Sequence, residues 1–415
     1  MPEKLMLNEV YSSKINLING RIKIDQAQQK RIYFPGLNSL RAIAALLVVV
    51  CHIEQLKTLY GYNNMFDNTF INQSGVFSVT FFFCLSGFLI TYLLLVEQER
   101  TATIDIKKFY IRRALRIWPL YYFLGIISLF LLPNIQSWHV PVWQAGLETN
   151  YFAHIFSYFA FLPNIAIAFI GIIPHANQVW SIGVEEQFYL IWPLIFRYTR
   201  NVWQAIFSVI GIYVAVKLIT IVLMGGYSHN LSIAARLEQF YRLLQVNRID
   251  CMAIGAIGAG ILYHDRSKLK PFYTFIAQYI LYTVALLFVM FGGFREGFWL
   301  HFNQEIFAVL SALIILNVAT NRQTIFKLEN KNLDYLGRIS YGIYMFHCLC
   351  IAIAFYLVNR YTSFSPSQFM GNTIVYPLVF GLSIAMAAIS YRWLEQPFIR
   401  QKHRFTKVAS GDSPL

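Results

Sequence analysis

Ten apolar runs follow one another along the chain, at 39–59, 75–96, 117–133, 184–198, 202–224, 249–264, 272–293, 304–320, 338–358 and 373–394. A straight helix needs roughly 20 residues to cross the hydrocarbon of a bilayer, and most of these runs approach that length. No soluble linker interrupts them, so a chain whose length would otherwise suggest two or three domains reads as one folding unit. Composition agrees: 13% of the residues are charged and 57% are hydrophobic, against roughly 25% charged in a soluble domain. The expected fold is an all-α integral membrane protein, a bundle of about ten transmembrane helices plus one re-entrant or interfacial segment. Residues 39–396 form the expected membrane unit, with 1–38 and 397–415 as tails.

The formal net charge of +14 does not point to nucleic acid. Lys and Arg sit in short runs beside the apolar spans, as the positive-inside rule requires, and no nucleic-acid motif accompanies them. Such runs suit anionic lipid head groups and polyanionic ligands reaching the cytoplasmic face. The distribution also bears on 151–173, YFAHIFSYFAFLPNIAIAFIGII, which is apolar enough to cross. Residues 134–183 contain no Lys or Arg, whereas 97–117 contain Arg100, Lys107, Lys108, Arg112, Arg113 and Arg116. A full crossing at 151–173 would put Arg197 and Arg200 outside and invert every later basic loop. A re-entrant or surface-lying segment keeps ten spans, both termini in the cytoplasm, and most of the 34 Lys and Arg on that side. Pro163 and Asn164 in its middle suit a broken helix. The block 225–248, with Arg236, Arg242 and Arg248 among apolar residues, reads as an interfacial amphipathic helix.

Cys51, Cys84, Cys251, Cys348 and Cys350 all lie in apolar stretches without zinc or C-x-x-C spacing, so neither a disulfide framework nor a metal site is expected. A polar stretch of nearly 40 residues precedes the first strong apolar run, so no cleavable signal is expected either.

Ionisable residues inside apolar spans are costly and tend to mark function. In GLNSLRAIAALLVVVCHIEQ, Arg41 and His52 are eleven residues apart, about three helical turns, and share one face roughly 16 Å apart. A fixed cation near the cytoplasmic end and an imidazole deeper in suit a donor with phosphates at one end and a thioester at the other. The plainer alternative is a snorkelling Arg and a packed, hydrogen-bonded His. In KKFYIRRALRIWPLYY, Arg113 and Arg116 share a helix face, fit either for phosphate or for anchoring at the membrane edge. In NQVWSIGVEEQFYLIWP, Ser181, Glu185 and Tyr189 share a face and Glu186 points about 100° away. These acids either favour the helix start electrostatically or tune a nearby base. FFFCLSGFLITYLLL places Ser86 and Gly87 mid-span, where small residues permit close approach. LGRISYGIYMFH supplies a second intramembrane imidazole, His347. Arg338 and Arg392 read as cytoplasmic anchors.

Taken in order, GLNSLRAIAALLVVVCH, FFFCLSGFLIT, FYIRRALRIWPLYY, WSIGVEEQFYLIWP, NRIDCMAIGA, LGRISYGIYMFH and WLEQPF resemble the signature of the acyltransferase-3 family over about residues 34–400. The resemblance implies transfer of an acyl group, acetyl first, from acyl-CoA to a hydroxyl of a cell-envelope or exported carbohydrate, free or lipid-linked, at the bacterial inner membrane. It implies an Arg-x10-His pair, met by Arg41 and His52, donor-binding cations at Arg113 and Arg116, and a functional acid at Glu185. Glu186 is the weaker match, and Arg248 with Asp250 matches without a clear role. On this reading His52 is general base or transient acyl carrier, and Glu185 orients it or the acceptor. Ser86, Ser181, Tyr189, Glu186, Arg248, Asp250 and His347 are possible acceptor-side or supporting residues. Acyl-CoA is a co-substrate, and no bound cofactor is expected. Some members carry a further soluble esterase-like domain. The sequence stops about 20 residues beyond its last run, so transfer is expected to finish within the membrane unit or on a separate partner.

A transporter with an intramembrane proton relay is the rival reading. Two features oppose it: no internal repeat relates the halves, and the charges cluster on the early spans. The topology itself is testable. A cysteine introduced at Asn177 should react with membrane-impermeant reagent from the outer face. Labelling from the cytoplasmic face alone would overturn the ten-span arrangement.

Overall fold

Short polar side chains punctuate the apolar runs, and in the structure, a computed structural model, they begin the helices. Residues 16–18, 21–23, 32–135, 141–199, 201–365, 369–406 and 408 are described; Arg200, most of the expected tail 1–38 and part of the expected tail 397–415 lie outside the described residues. Residues 34–406 form one compact unit. Residues 1–33 and 407–415 form another, of which the antiparallel hairpin β1 (Asn16–Ile18) with β2 (Arg21–Lys23) is described.

The helices run α1 (Leu37–Leu59), α2 (Thr69–Thr101), α3 (Ile106–Ile126), α4 (Pro141–Thr149), α5 (Tyr151–Phe159), α6 (Pro163–Phe169), α7 (Trp180–Tyr198) and α8 (Val202–Gly226). They continue as α9 (Leu231–Asn247), α10 (Ile249–His264), α11 (Phe275–Phe291), α12 (Asn303–Thr320), α13 (Lys331–Arg338), α14 (Ser340–Tyr361), α15 (Phe369–Ser390) and α16 (Gln396–Gln401). The side chains of Asn68, Asp105, Asn201, Asn230, Thr274 and Asn330 accept hydrogen bonds from the first backbone N–H groups of α2, α3, α8, α9, α11 and α13. Each cap satisfies donors that a helix end leaves unpaired.

The protein is an all-α integral membrane protein. Among the described residues eight helices are long and apolar enough to cross, or nine if the segment Arg266–Tyr273 and α11, bent by 78°, count as one span. The expected ten is therefore corrected. The run at 184–198 does form a helix, α7, but Glu185, Glu186 and Arg197 make it too polar to count as a lipid-style span.

The segment 151–173 does not form one helix. It is split into α5 and α6, of 9 and 7 residues, with Phe161 left-handed (φ +57°) and Pro163 at the joint. At 1.5 Å per residue each covers less than half of a ~30 Å core. The block 225–248 forms α9, with Arg236 and Arg242 exposed. Arg248 departs from the expected amphipathic face: it takes a left-handed conformation (φ +37°) at the joint between α9 and α10 and turns into the bundle.

Helix α2 is the central post, packed against α1, α10, α11 and α12. Its tightest crossing is with α10. A Cβ on Gly87 would sit 1.9 Å from the Met252 carbonyl oxygen, and one on Gly255 would sit 1.9 Å from that of Cys84. Small residues in both spans thus allow backbone-to-backbone contact. Helix α8 shows the opposite pattern, with Val222 71% and Ile212 66% exposed, the surface expected of a peripheral helix facing lipid.

Gly87→Ala should therefore push α2 from α10 and sharply reduce folded protein, since overpacking costs roughly 1–3 kcal/mol or more. Gly211→Ala, in open space on α8, should leave stability unchanged. Thermal unfolding of both variants in detergent checks the contrast.

Candidate functional site

Helix α1 carries Arg41 near its start and His52 three turns on, and the neighbour it meets at His52 is α14. There the fully buried His347 places Nε2 2.9 Å from Nδ1 of His52. Nδ1 of His347 lies 2.6 Å from the Tyr344 carbonyl, which can only accept, so that nitrogen carries the hydrogen. With one proton on each ring, Nε2 of His347 is then an acceptor and Nδ1 of His52 its donor. Nε2 of His52 is left with a free lone pair, the form a general base requires. Tyr344 is fixed in turn: its hydroxyl shares a 2.7 Å hydrogen bond with Ser181 and donates to the Gln178 carbonyl at 3.1 Å.

Cys348 adds a thiol 3.4 Å from Nε2 of His347, and His52, His347 and Cys348 bring donor atoms within 4.8 Å of one another. Two nitrogens and a sulfur are a possible metal set that spacing along the chain did not suggest. The two imidazole nitrogens, however, already satisfy each other across their hydrogen bond.

A carboxylate acts electrostatically on Tyr344. Glu185 on α7 accepts from Ser86 at 3.0 Å and from Tyr189 at 2.8 Å, and Tyr189 also reaches Ser86 at 3.2 Å. Ser86 is offered by α2 directly beside the glycine of its tight crossing. Of the expected face, Glu185 and Tyr189 act together, whereas Ser181 turns to Tyr344. The imidazole against His52 is that of His347, and Glu185 is held by the Ser86 and Tyr189 hydroxyls. Glu186 points elsewhere and accepts from Trp118 Nε1 at 3.1 Å.

Toward the start of α1 lies a group of cations. Arg41, Arg113, Arg116 and Lys402 are close enough to repel one another electrostatically. Arg41 donates to Asn38 at 3.1 Å, and Arg113 lies over the rings of Phe109 and Tyr189. Among the described residues none of the three arginines has an ion-pair partner, while neighbouring Arg112 is held by Glu97 at 2.8 Å. Cations gathered without a salt-bridge partner can form a site for an anion. Arg41 and Arg113 also act electrostatically on Glu185, so the cations and the carboxylate adjoin.

Arg248 donates to the carbonyls of Gln245 (2.9 Å) and Val76 (3.1 Å) and to the Thr80 hydroxyl (3.0 Å), with its guanidinium over Trp180. It thereby ties the α9–α10 joint to α2. Asp250 is buried near Glu305, which pairs with Lys217. Sequence reasoning passed over Lys217, Glu305, the buried pair Glu54–Lys57 (2.6 Å) and Lys402. Lys217 and Lys57 each interrupt an apolar run, and that signal would have found them.

The model of one protein family, an acyltransferase domain, matches residues 34–392. The chain is similar to O-acetyltransferase OatA of Staphylococcus aureus, at 26% identity over 89% of this chain and 58% of that protein. It is similar as well to the Bacillus subtilis protein named "Putative peptidoglycan O-acetyltransferase YrhL", at 26% identity over 91% of this chain and 56% of the relative. The chain thus spans a little over half the length of these relatives. No solved structure matches it.

Proposed function

The chain belongs to the acyltransferase-3 family, and on that premise we propose that it transfers an acyl group, acetyl first, from acyl-CoA to a hydroxyl of a cell-envelope carbohydrate. The name of the Bacillus subtilis relative makes peptidoglycan the first acceptor to test. The observation that carries the reading is the layout of α1: unpaired cations at one end and, about 16 Å along the same helix, an imidazole whose free nitrogen is fixed by a second imidazole.

In this reading Arg41, Arg113 and Arg116 hold the CoA phosphates at the cytoplasmic face, with both chain termini on that side. The thioester extends toward His52. Nε2 of His52 takes the proton of the acceptor hydroxyl as its oxygen bonds to the thioester carbonyl carbon. The carbon–sulfur bond then breaks, the CoA thiolate leaves, and the imidazolium returns the proton to sulfur. His347 is a positioning residue that keeps the His52 hydrogen on Nδ1. Glu185, fixed by Ser86 and Tyr189, sits where a carboxylate can orient the incoming groups.

The donor end is tested by Arg113→Ala and Arg116→Ala. Each removes a charge-assisted contact worth roughly 1.5–3 kcal/mol, so acetyl-CoA affinity should fall about 10- to 100-fold. Added salt should weaken the wild type in the same direction. Normal affinity in both variants would make these arginines membrane anchors only.

The base is tested with His52→Gln and His347→Gln. Loss of a general base costs roughly 10²- to 10⁴-fold, so His52→Gln should lose transfer to that degree while still binding acetyl-CoA. His347→Gln should retain part of the activity and change the pH profile of transfer, a readout that mere loss of packing would not move. Substantial activity in His52→Gln would move the base to Glu185 or His347.

A further inference from the structure

A cavity with a volume of ≈ 730 Å³ opens at the end of the bundle away from the cationic group. It lies between the α1–α2 connection, the first turns of α2, the end of α9 and the start of α12. From its position and chemistry we propose that this cavity is the acceptor site, and that it binds an uncharged stretch of carbohydrate. The proposal rests on the acyl-transfer reading above and extends it to the second substrate.

Position comes first. Asn72 in the cavity wall offers its carbonyl to the Cys51 thiol at 3.5 Å, and a Cβ on Gly75 would strike the Cys51 sulfur at 2.5 Å. Helices α1 and α2 therefore touch at the residue next to His52. Val76, also in the wall, is held through its carbonyl by Arg248. The cavity wall thus touches α1 at Cys51, the residue before His52, while the cations lie about three helical turns back along that helix. Two substrates entering from opposite ends would meet at His52.

The lining is the second argument. Its two charges, Asp67 and Arg295, cancel, and Arg295 donates to the Phe291 carbonyl and the Thr69 hydroxyl. That is the reverse of the cationic end, and it disfavours a phosphate. The remaining polarity comes mostly from amides and hydroxyls. Asn303 is committed to both backbone groups of Phe294, and Gln304 to Thr80, so these two build the wall. Gln73 donates to Asn72, and Gln245 donates to Tyr241, whose hydroxyl also meets His301. The carbonyl oxygens of Gln73 and Gln245 have no protein partner among the described residues, and both side chains line the cavity. Phe66 and Phe294 add apolar faces beside these acceptors. Neutral amides beside aromatic faces suit a ligand with hydroxyl edges and C–H faces, which describes a sugar. The volume falls in the roughly 300–1,000 Å³ of small-ligand sites.

The test uses the purified full chain in lipid nanodiscs, acetyl-CoA, and soluble oligosaccharides released from peptidoglycan as the acceptor probe. In the double variant Gln73→Ala, Gln245→Ala the acceptor KM should rise about tenfold, the effect of roughly 1.4 kcal/mol of lost hydrogen bonding. Acetyl-CoA affinity should stay within twofold, since the donor residues are untouched. Gln73→Trp, which fills the cavity from a partly exposed position, should block transfer to the oligosaccharide and likewise spare acetyl-CoA binding. Wild-type acceptor KM in both variants would overturn the cavity's role while leaving the acyl-transfer reading intact. A wild-type chain that neither binds acetyl-CoA nor acetylates the probe would instead sink the acyl-transfer reading, and the cavity's assignment with it.

Discussion

The crossing of α2 and α10 at Gly87 and Gly255 is the contact on which the rest of the bundle depends. Backbone there touches backbone, and without side chains in the way the two helices come as near as helices can. Every functional offset along α2 is measured from this point. Ser86, one residue away, meets Glu185; Thr80, two turns further toward the helix start, meets Arg248; Asn72 meets Cys51. A shift of α2 by one residue would rotate it by 100° and separate all three contacts at once.

Charge follows a second rule. The low dielectric of the span interior makes an unpaired ion expensive, and most buried ions here are paired: Lys57 with Glu54, Lys217 with Glu305, Arg112 with Glu97. The arginines at the start of α1 and α3 break that rule. Without an ion-pair partner among the described residues, these cations suit a ligand of opposite sign. The cavity at the other end, whose charges cancel, marks a ligand of different chemistry.

Much of this was legible in the sequence, for specific reasons. Spans are recognisable because apolar length is a local property, and the break at 161–163 is recognisable because Pro163 is local as well. Arg41 and His52 share a helix face by arithmetic alone. The count of ten failed at α7 because Glu185, Glu186 and Arg197 make that helix too polar for a lipid-style span, although Leu190, Ile191 and Leu194 on it are exposed. The pairing of His52 with His347 was hidden, since it depends on how α14 is rotated against α1, and no pattern within either helix encodes that. Arg248 was misplaced on a polar face for the same kind of reason. A non-glycine left-handed joint is chosen by its tertiary bonds to Val76 and Thr80.

The hydrogen bond between the two imidazoles has a consequence for how protons move. The inner ring is tied at Nδ1 to the Tyr344 carbonyl, so its only other nitrogen faces His52. A proton that enters at the outer nitrogen of His52 can pass to His347 across that bond, but it has no exit beyond. The pair is a dead-end store with room for one proton, filled and emptied through a single door. In the proposed reaction, the group that fills it must therefore be followed by one that empties it before another cycle can begin.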